Sequence, residues 1–547
     1  MSFFFRVIPK GFSSLFPTAT PHAAPQLTSQ QTPSVNIRNS IFSNTSPNHQ
    51  VKRQEFSRSI FPNQNDEGTA MHKTKKIGTC LLIGTLLTTS FGLSANETTR
   101  TTSSKALRPI VSSRVQGTEW VRKCVEQYPE ILWLADDNVR KTEEGQATLK
   151  APYSEQLFGK KFVEFDRTIM TLHCLQLVLD GSEKAYQEFT AAQPNDAKLL
   201  RTSFEKLHLQ GIELVKSKYN GMSELEITQA MEAALVLGDI GKSEKARDIF
   251  KPYGAKAPDH DDFHGEVMEI LEHHPKLCPT FDRLTPAAKK LLGQTANLAH
   301  YGHVTHIEGG PGMFSKLKQS GLPAASSVAL AFDLFVHTCD VAGALGHVNN
   351  QSSLVYAESS HQAMQAVAKA CAVLTDSQKT EMDAYNTYLR FRADCLGLNA
   401  EDRTDRALTR MGAMLRLFTP EDGLILKQSV LKLNPEQQAK IIEQLDTEMG
   451  QDFARTPTYM PAVLVNLSNN PQLGSSREER LSQAVVLGLP FLSRVLEKHK
   501  QTIAENKANP NIPLNFNKAA GVAKVSPDML LKDFYIDSEG NVCFTNS

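Results

Sequence analysis

The chain has 547 residues, of which 40% are hydrophobic and 22% are charged, a composition typical of a water-soluble globular protein. Its 59 basic and 59 acidic side chains cancel, so there is no basic excess to hold a nucleic-acid backbone, and we expect no nucleic-acid partner. The eight cysteines include no CxxC pair, which argues against a disulfide scaffold and against a thiolate zinc site. A bound metal would therefore need nitrogen and oxygen ligands.

Residues 1–70 differ in composition from the rest of the chain. They are rich in Ser, Thr, Pro, Asn and Gln, and no acidic residue precedes Glu55. A segment of this kind cannot bury a core, so we expect it to be disordered or to be upstream sequence that does not belong to the protein. Its lack of acidic residues also fits a transit peptide.

The segment that follows has the layout of a secretory signal peptide. After Met71 come a basic stretch, an apolar core over residues 77–93 and a small-residue cleavage site. We predict that translation starts at Met71, that residues 71–95 are removed, and that the mature protein begins near Asn96 and is exported to the periplasm or secreted. The alternative is a membrane anchor formed by residues 77–93. After cleavage we expect no membrane association.

From about residue 118 one helical pattern follows another, and the sequence predicts an all-α multi-helix bundle. A capping box or a cap residue before proline marks several helix starts; these are Ser223, Thr285, Thr419 and Asn434. The extreme C-terminus is different, because its alternating pattern predicts a small β-hairpin that turns through Ser538, Glu539 and Gly540.

Short junctions divide the helical body into three lobes of one unit rather than into separate domains. We predict the following parts: a helical N-terminal lobe over 118–255, a histidine-rich helical core over 259–400, a helical C-terminal lobe over 404–505 and a C-terminal hairpin within 526–547.

The most informative segment is 327–348, whose composition predicts one long apolar helix. Asp333, His337, Asp340 and His347 recur along it at steps of four, three and seven, which places them on one helix face. A buried helix with such a stripe must satisfy it with hydrogen bonds, ion pairs or a metal ion. The stripe therefore predicts a His/Asp site that faces the inside of the bundle.

Further histidines precede this stripe, and ten of the sixteen in the chain fall between His260 and His361. One predicted helix ends at Pro275 and carries His264 near its start and the pair His273 and His274 in its last turn. A second predicted helix starts at Pro286 and carries histidines at steps of three, namely His300, His303 and His306. Histidines near a helix C-terminus are also favoured by the helix dipole alone.

The stretch from His337 to Gly343 (HTCDVAG) resembles a lengthened version of the helix that names the HD-domain metal-dependent phosphohydrolases, where histidine and aspartate are adjacent. Here two residues separate His337 from Asp340, and the resemblance covers about residues 294–343. It implies a helical fold, a divalent metal and phosphoester hydrolysis, with His303 or His306 as the earlier histidine ligand. The later ligand has no clear counterpart, and the nearest candidates are Glu358, His361 and Asp376.

We therefore predict an exported metal-dependent hydrolase of a small-molecule phosphoester. A divalent metal (Fe, Mn, Zn or Mg) would activate water, and a spare histidine would protonate the leaving group. The predicted metal ligands are His303, His306, His337, Asp340 and Asp333. The predicted general acids are His347 and His274.

Two other functions fit the same residues. Histidine and carboxylate ligands with open positions also suit a non-haem metal oxygenase on a similar helical scaffold. Alternatively, the histidines and aspartates form a purely structural network in a helical interaction protein that catalyses nothing.

Overall fold

The structure is a computed structural model, and it describes residues 109–112, 117–136, 151–257, 260–296, 298, 301–305, 310–446, 457–505 and 508–545. The predicted signal peptide and everything before it lie outside these residues. Helices make up 72% of the described residues, which confirms the prediction of an all-α fold. Within the same ranges, no helix combines the length and the hydropathy that a membrane span requires.

The N-terminal half of the described chain is a series of helices separated by short turns. The first fourteen α-helices are α1 Gly117–Gln127, α2 Tyr153–Phe158, α3 Val163–Asp180, α4 Glu183–Thr190, α5 Arg201–Lys216, α6 Glu224–Gly238, α7 Glu244–Phe250, α8 His260–His273, α9 Pro279–Asp282, α10 Pro286–Thr295, α11 Tyr301–Val304, α12 Ser315–Ser320, α13 Leu322–Ala325 and α14 Ser327–Gly343.

The C-terminal half continues in the same way and ends in a hairpin. Its α-helices are α15 Glu358–Val373, α16 Glu381–Leu396, α17 Arg403–Met414, α18 Pro420–Val430, α19 Pro435–Asp446, α20 Met460–Ser468, α21 Arg477–Ala504 and α22 Asn517–Val525. Strands β1 Phe534–Ile536 and β2 Val542–Phe544 pair in antiparallel fashion, which confirms the predicted hairpin. Gly540 lies in the turn with a φ of 83°, a conformation that favours glycine.

The predicted helix starts are confirmed. The Ser223 hydroxyl accepts a hydrogen bond from the Glu226 amide, and the Glu226 carboxylate accepts one from the Ser223 amide, so α6 begins with a complete capping box. Thr285, Thr419 and Asn434 each cap a helix whose first residue is a proline. Local side-chain chemistry therefore determines where these helices begin.

Helix α14 ends earlier than the sequence predicts, at Gly343 instead of Val348. A Cβ atom on Gly343 would lie 2.5 Å from the Thr171 amide nitrogen, and one on Gly346 would lie 2.3 Å from the Asp166 carbonyl oxygen. The two glycines thus allow the end of α14 and the turn after it to approach the backbone of α3 closely. As a result, the continuous stripe predicted through His347 is wrong, because His347 lies in the turn after the helix.

The second histidine segment also differs from the prediction of one long helix, because α10 ends at Thr295 and a separate short helix, α11, begins at Tyr301. The Thr295 hydroxyl donates to the carbonyl oxygens of Leu291 and Leu292, at 3.1 and 3.3 Å. Hydrogen bonds of this kind from Thr to the preceding turn tend to bend helices.

The helices pack around two hydrophobic cores. The first extends from Ile110 to Leu389 and also includes Ala413, so the predicted lobe 118–255 shares this core with the predicted lobe 259–400 as far as Leu389. The second is formed by residues from Ala393 to Phe544 and joins the C-terminal lobe to the hairpin. Helix α16 contributes several residues to both cores, and α17 adds Ala413 to the first core and its other buried apolar residues to the second, so these two helices link the cores.

Helix α14 lies near the centre of the first core. It packs along α3 and also contacts α6 and α10, while α8 packs against α10 and against the short 3-10 helix Ile240–Lys242. Helices α3, α6, α8 and α10 surround the polar face of α14, and together with α14 they form the walls of the site described next.

Candidate active site

A cavity of about 330 Å³ lies between α3, α6, α8, α10 and α14, and we call it the polar cavity. Asp333, His337 and Asp340 line it from α14. These three residues are one turn apart on the same helix face, and the Ser326 hydroxyl begins that helix by capping the Ala329 amide at 3.1 Å. The three-residue part of the stripe that lies within α14 therefore borders a single cavity.

Asp333 is held by a tyrosine from the next wall. The Tyr301 hydroxyl donates a hydrogen bond of 2.7 Å to Asp333 Oδ2, and the Tyr301 ring meets the His337 ring edge-on at 5.2 Å between centroids. Burial raises the pKa of Asp333 to about 7, although the hydrogen bond from Tyr301 partly opposes the increase. Asp333 and His337 are thus both positioned by one aromatic side chain.

A network of ion pairs forms the opposite wall. Lys242 Nζ lies 2.7 Å from Asp239 Oδ1 and 3.1 Å from Glu164 Oε2, and Arg167 Nη1 lies 3.2 Å from Glu164 Oε1. Burial acts to raise the pKa of Asp239, but Lys242 and Arg167 outweigh it and lower the pKa to about 2. Asp239 is therefore a carboxylate at neutral pH.

The carboxyl group of Asp340 faces this network, and its pKa shifts in the direction opposite to that of Asp239. Burial, together with the neighbouring carboxylate of Asp239, raises the pKa of Asp340 to about 7, while Arg167 and Lys242 act in the opposite direction. An additional cation beside such a carboxyl group would favour its ionised form and lower its pKa. The ionised fraction at neutral pH changes most when the pKa of the group is itself near neutrality.

Helix α8 supplies imidazoles to the polar cavity. His260 and His264 line it, one turn apart on the same side of α8. Lys316 lines it from α12, with Nζ 3.5 Å from Asp262 Oδ1. The cavity therefore contains imidazoles on two facing helices and cationic side chains from three separate segments.

The two predicted general acids lie elsewhere. His274 is exposed just after α8, where its ring lies 4.8 Å from the Tyr253 ring, and His347 is in the turn after α14. Neither residue lines the polar cavity. The backbone of His303 is part of α11, but its side chain, like the whole of His306, lies outside what the structure describes.

The donor chemistry of the α14 stripe suits a divalent metal, since Fe, Mn and Zn accept imidazole and carboxylate ligands and Mg accepts carboxylates. Within the described residues, however, no group of three or more His, Cys, Asp or Glu side chains is arranged to hold a metal ion. A metal site built on Asp333, His337 and Asp340 thus stays a prediction that needs ligands from outside these side chains.

Sequence reasoning missed the residues of the ion-pair wall and the tyrosine. A signal for the wall was present: Arg167 is a charge within the apolar helix α3, and Asp239 and Lys242 directly follow the apolar helix α6. Tyr301 lies next to the histidine segment, but no motif in the sequence distinguishes it. Only packing shows that these residues border the same space.

Comparison with known proteins places the chain in a family but assigns it no activity. No curated protein and no solved structure matches the chain. A family model described as a family of unknown function (DUF6829) matches residues 127–518. This range is more than half of the chain, and it includes every helix that forms the polar cavity. The chain therefore belongs to the family of unknown function DUF6829.

Proposed function

We propose that the polar cavity is the active site of a metal-dependent hydrolase that acts on a phosphoester. The observation that supports this most strongly is the position of Asp333, His337 and Asp340, which line one cavity together with cationic side chains and two further imidazoles. A cavity of about 330 Å³ is at the lower end of the range for small-molecule sites, so the substrate is small.

Asp333, His337 and Asp340 would hold the metal, and His303 and His306 are the expected additional ligands. A bound divalent metal would lower the pKa of a coordinated water to about 7 and provide a nucleophile at neutral pH. Tyr301 keeps Asp333 in place through its hydrogen bond of 2.7 Å. The two carboxyl groups with a pKa of about 7 would ionise more readily beside a cation.

The other walls would act on the substrate. Lys316, Arg167 and Lys242 supply positive charge that attracts a phosphoryl group, although each also has a carboxylate nearby. His264 and His260 face the α14 stripe across the cavity and replace His347 and His274 as candidates for the general acid.

The test is metal analysis and phosphoester hydrolysis by the purified full chain, prepared without chelators. We expect one or more equivalents of metal and hydrolysis of p-nitrophenyl phosphate or bis-p-nitrophenyl phosphate. His337→Ala and Asp340→Ala should each lose the metal and the activity while helix content stays nearly unchanged. His499→Ala, a half-buried histidine on α21 in the second core region, is the matched control and should lose neither.

The same preparation separates the two alternatives. Bound iron with oxygen consumption and no phosphoester hydrolysis would favour a non-haem oxygenase. A metal-free protein, even after reconstitution with Fe, Mn, Zn and Mg, would favour a structural role. The ion pairs of Lys242 with Asp239 and Glu164 support that structural alternative, because they already neutralise charged side chains of this wall without a metal.

Export is part of the proposal, and it is supported by the signal-like segment at residues 71–95. N-terminal sequencing of the protein from its native source should find a start near Asn96. A mature protein that still contains residues 77–93 would support the anchor instead, and one that begins at Met1 would exclude initiation at Met71.

A further inference from the structure

A second and larger opening lies on the other side of α3 from the polar cavity, and we call it the Trp120 cleft. Its volume is about 950 Å³, and α1, α3, α4, α5 and α6 border it. Among the described residues, none lines both the Trp120 cleft and the polar cavity. Because this volume is near the upper end of the range for small-molecule sites, the cleft can hold a ligand larger than the polar cavity can.

Two buried polar atoms on the wall of the cleft have no hydrogen-bond partner. Trp120 is only 3% exposed, and its Nε1 donor has no acceptor. Asn350 is 4% exposed; its Nδ2 donates to the Ala151 carbonyl oxygen at 3.1 Å, but its Oδ1 has no donor. Both residues line the Trp120 cleft. Buried polar atoms are nearly always paired in folded proteins, so this donor and this acceptor mark positions at the cleft where a bound molecule would complete the hydrogen bonding.

The remaining wall combines polar and charged side chains with two further aromatic rings. His173 Nε2 lies 3.3 Å from Glu188 Oε1, and the His173 ring meets the Trp120 ring edge-on at 5.7 Å. Tyr153 adds a second aromatic ring, and Asp180 adds a second carboxylate. The hydrogen bond from His173 is the main cause that lowers the pKa of Glu188, so this side chain is an anionic acceptor at neutral pH.

We propose that the Trp120 cleft binds a neutral, polyhydroxylated ligand of the size of a mono- or disaccharide. A hydroxyl group is both a donor and an acceptor, so neighbouring hydroxyls of one ligand can accept from Trp120 Nε1 and donate to Asn350 Oδ1. The carboxylates of Glu188 and Asp180 accept from further hydroxyls, and the partly exposed ring of Tyr153 packs against the apolar C–H face of a sugar ring. Among the charged side chains that line the cleft, Asp180 and Glu188 outnumber Lys184, so the net negative charge disfavours an anionic ligand.

The two tryptophans of the chain provide a matched pair of variants for the test. Trp120 lines the cleft, whereas Trp133 is buried elsewhere in the first core, at 7% exposure. The measurement is calorimetric titration of the full chain with maltose, N-acetylglucosamine and myo-inositol, with uracil, which carries no sugar hydroxyl groups, as the comparison. We expect at least one of the three hydroxylated probes to bind. Trp120→Phe should weaken that binding about tenfold, because it removes one hydrogen-bond donor, and Trp133→Phe should leave it unchanged.

A second measurement does not depend on the folding of Trp120→Phe. In Trp133→Phe the only remaining tryptophan is Trp120, so its fluorescence should change when the bound saccharide is added. Three outcomes would overturn the proposal: no heat from any hydroxylated probe at about 10 mM, tighter binding of uracil than of all three probes, or an equal loss of binding in both tryptophan variants.

Discussion

Lys242 is the side chain on which the charged wall of the polar cavity depends. It is only 14% exposed and contacts two carboxylates, Asp239 at 2.7 Å and Glu164 at 3.1 Å. Arg167 forms a second ion pair with Glu164, in which Nη1 lies 3.2 Å from Oε1. Removal of Lys242 alone would leave two buried carboxylates with one cation between them, which is costly in a medium of low polarity.

Lys242→Met is therefore expected to lower the free energy of unfolding by roughly 3 to 5 kcal/mol, the range typical of a buried ion pair that loses one partner. The matched control is Lys123→Met, because Lys123 pairs with Glu119 at 3.9 Å on an exposed part of α1. Its loss should cost at most about 1 kcal/mol. Urea denaturation of both variants measures the difference, and equal costs would show that the wall network contributes no special stability.

At the scale of elements, the contact between α3 and α14 brings the two sides of the polar cavity together. Gly343 and Gly346 make the contact close enough for α14 to lie against the α3 backbone. The same contact ends α14 before His347 and sets the distance between Asp340 and the ion pairs of Arg167. The stability of the fold and the geometry of the site therefore both depend on Gly343.

Gly343→Ala should separate the two helices, because the added methyl group would lie 2.5 Å from the backbone nitrogen of Thr171, which cannot rotate away. We expect a loss of about 2 to 3 kcal/mol in the free energy of unfolding and reduced metal binding or activity in the polar cavity. Gly521→Ala is the control: Gly521 lies in α22 with open space around its Cα, so alanine there should stabilise by up to about 1 kcal/mol. A neutral or stabilising Gly343→Ala would contradict the close contact.

At the scale of the whole molecule, several buried or partly buried carboxyl groups share one electrostatic property. Burial raises the pKa of Asp166, Glu232, Asp333 and Asp340 to about 7 in each case. A carboxyl group whose pKa is raised on folding binds its proton more tightly in the native state than in the unfolded chain. Stability then falls as pH rises from the unfolded pKa towards the folded one.

The protein should therefore gain stability as pH falls from about 8 to about 5, and lose it again in strong acid, where low-pKa carboxylates such as Asp239 become protonated. Thermal unfolding of the metal-free protein across this range measures the effect.

Glu232 allows the same effect to be tested at one site, because it is fully buried and accepts hydrogen bonds from the Tyr128 hydroxyl and the Val111 amide. Glu232→Gln cannot ionise. As pH rises from about 5 to about 8, the free energy of unfolding of this variant should increase by roughly 1 to 3 kcal/mol relative to that of the wild type. A difference between the two proteins that does not change with pH would show that Glu232 has an ordinary pKa.

The sequence by itself determined those features that depend on neighbouring residues. The all-α class, the capped starts of α6, α10, α18 and α19, the C-terminal hairpin and the shared face of Asp333, His337 and Asp340 all follow from local periodicity and from side-chain bonds to nearby backbone atoms. Such signals are present in a short window of the chain, so they can be recognised without knowledge of the rest.

Only the tertiary structure decided which distant residues share the polar cavity. Arg167, Asp239, Lys242 and Tyr301 come from separate segments, and their proximity to Asp340 or Asp333 depends on which helix faces pack together. The end of α14 and the location of His347 outside the cavity follow from its contact with α3. The pKa values near 7 have the same origin, because burial and the distances between charges are properties of the packed molecule and not of any local sequence.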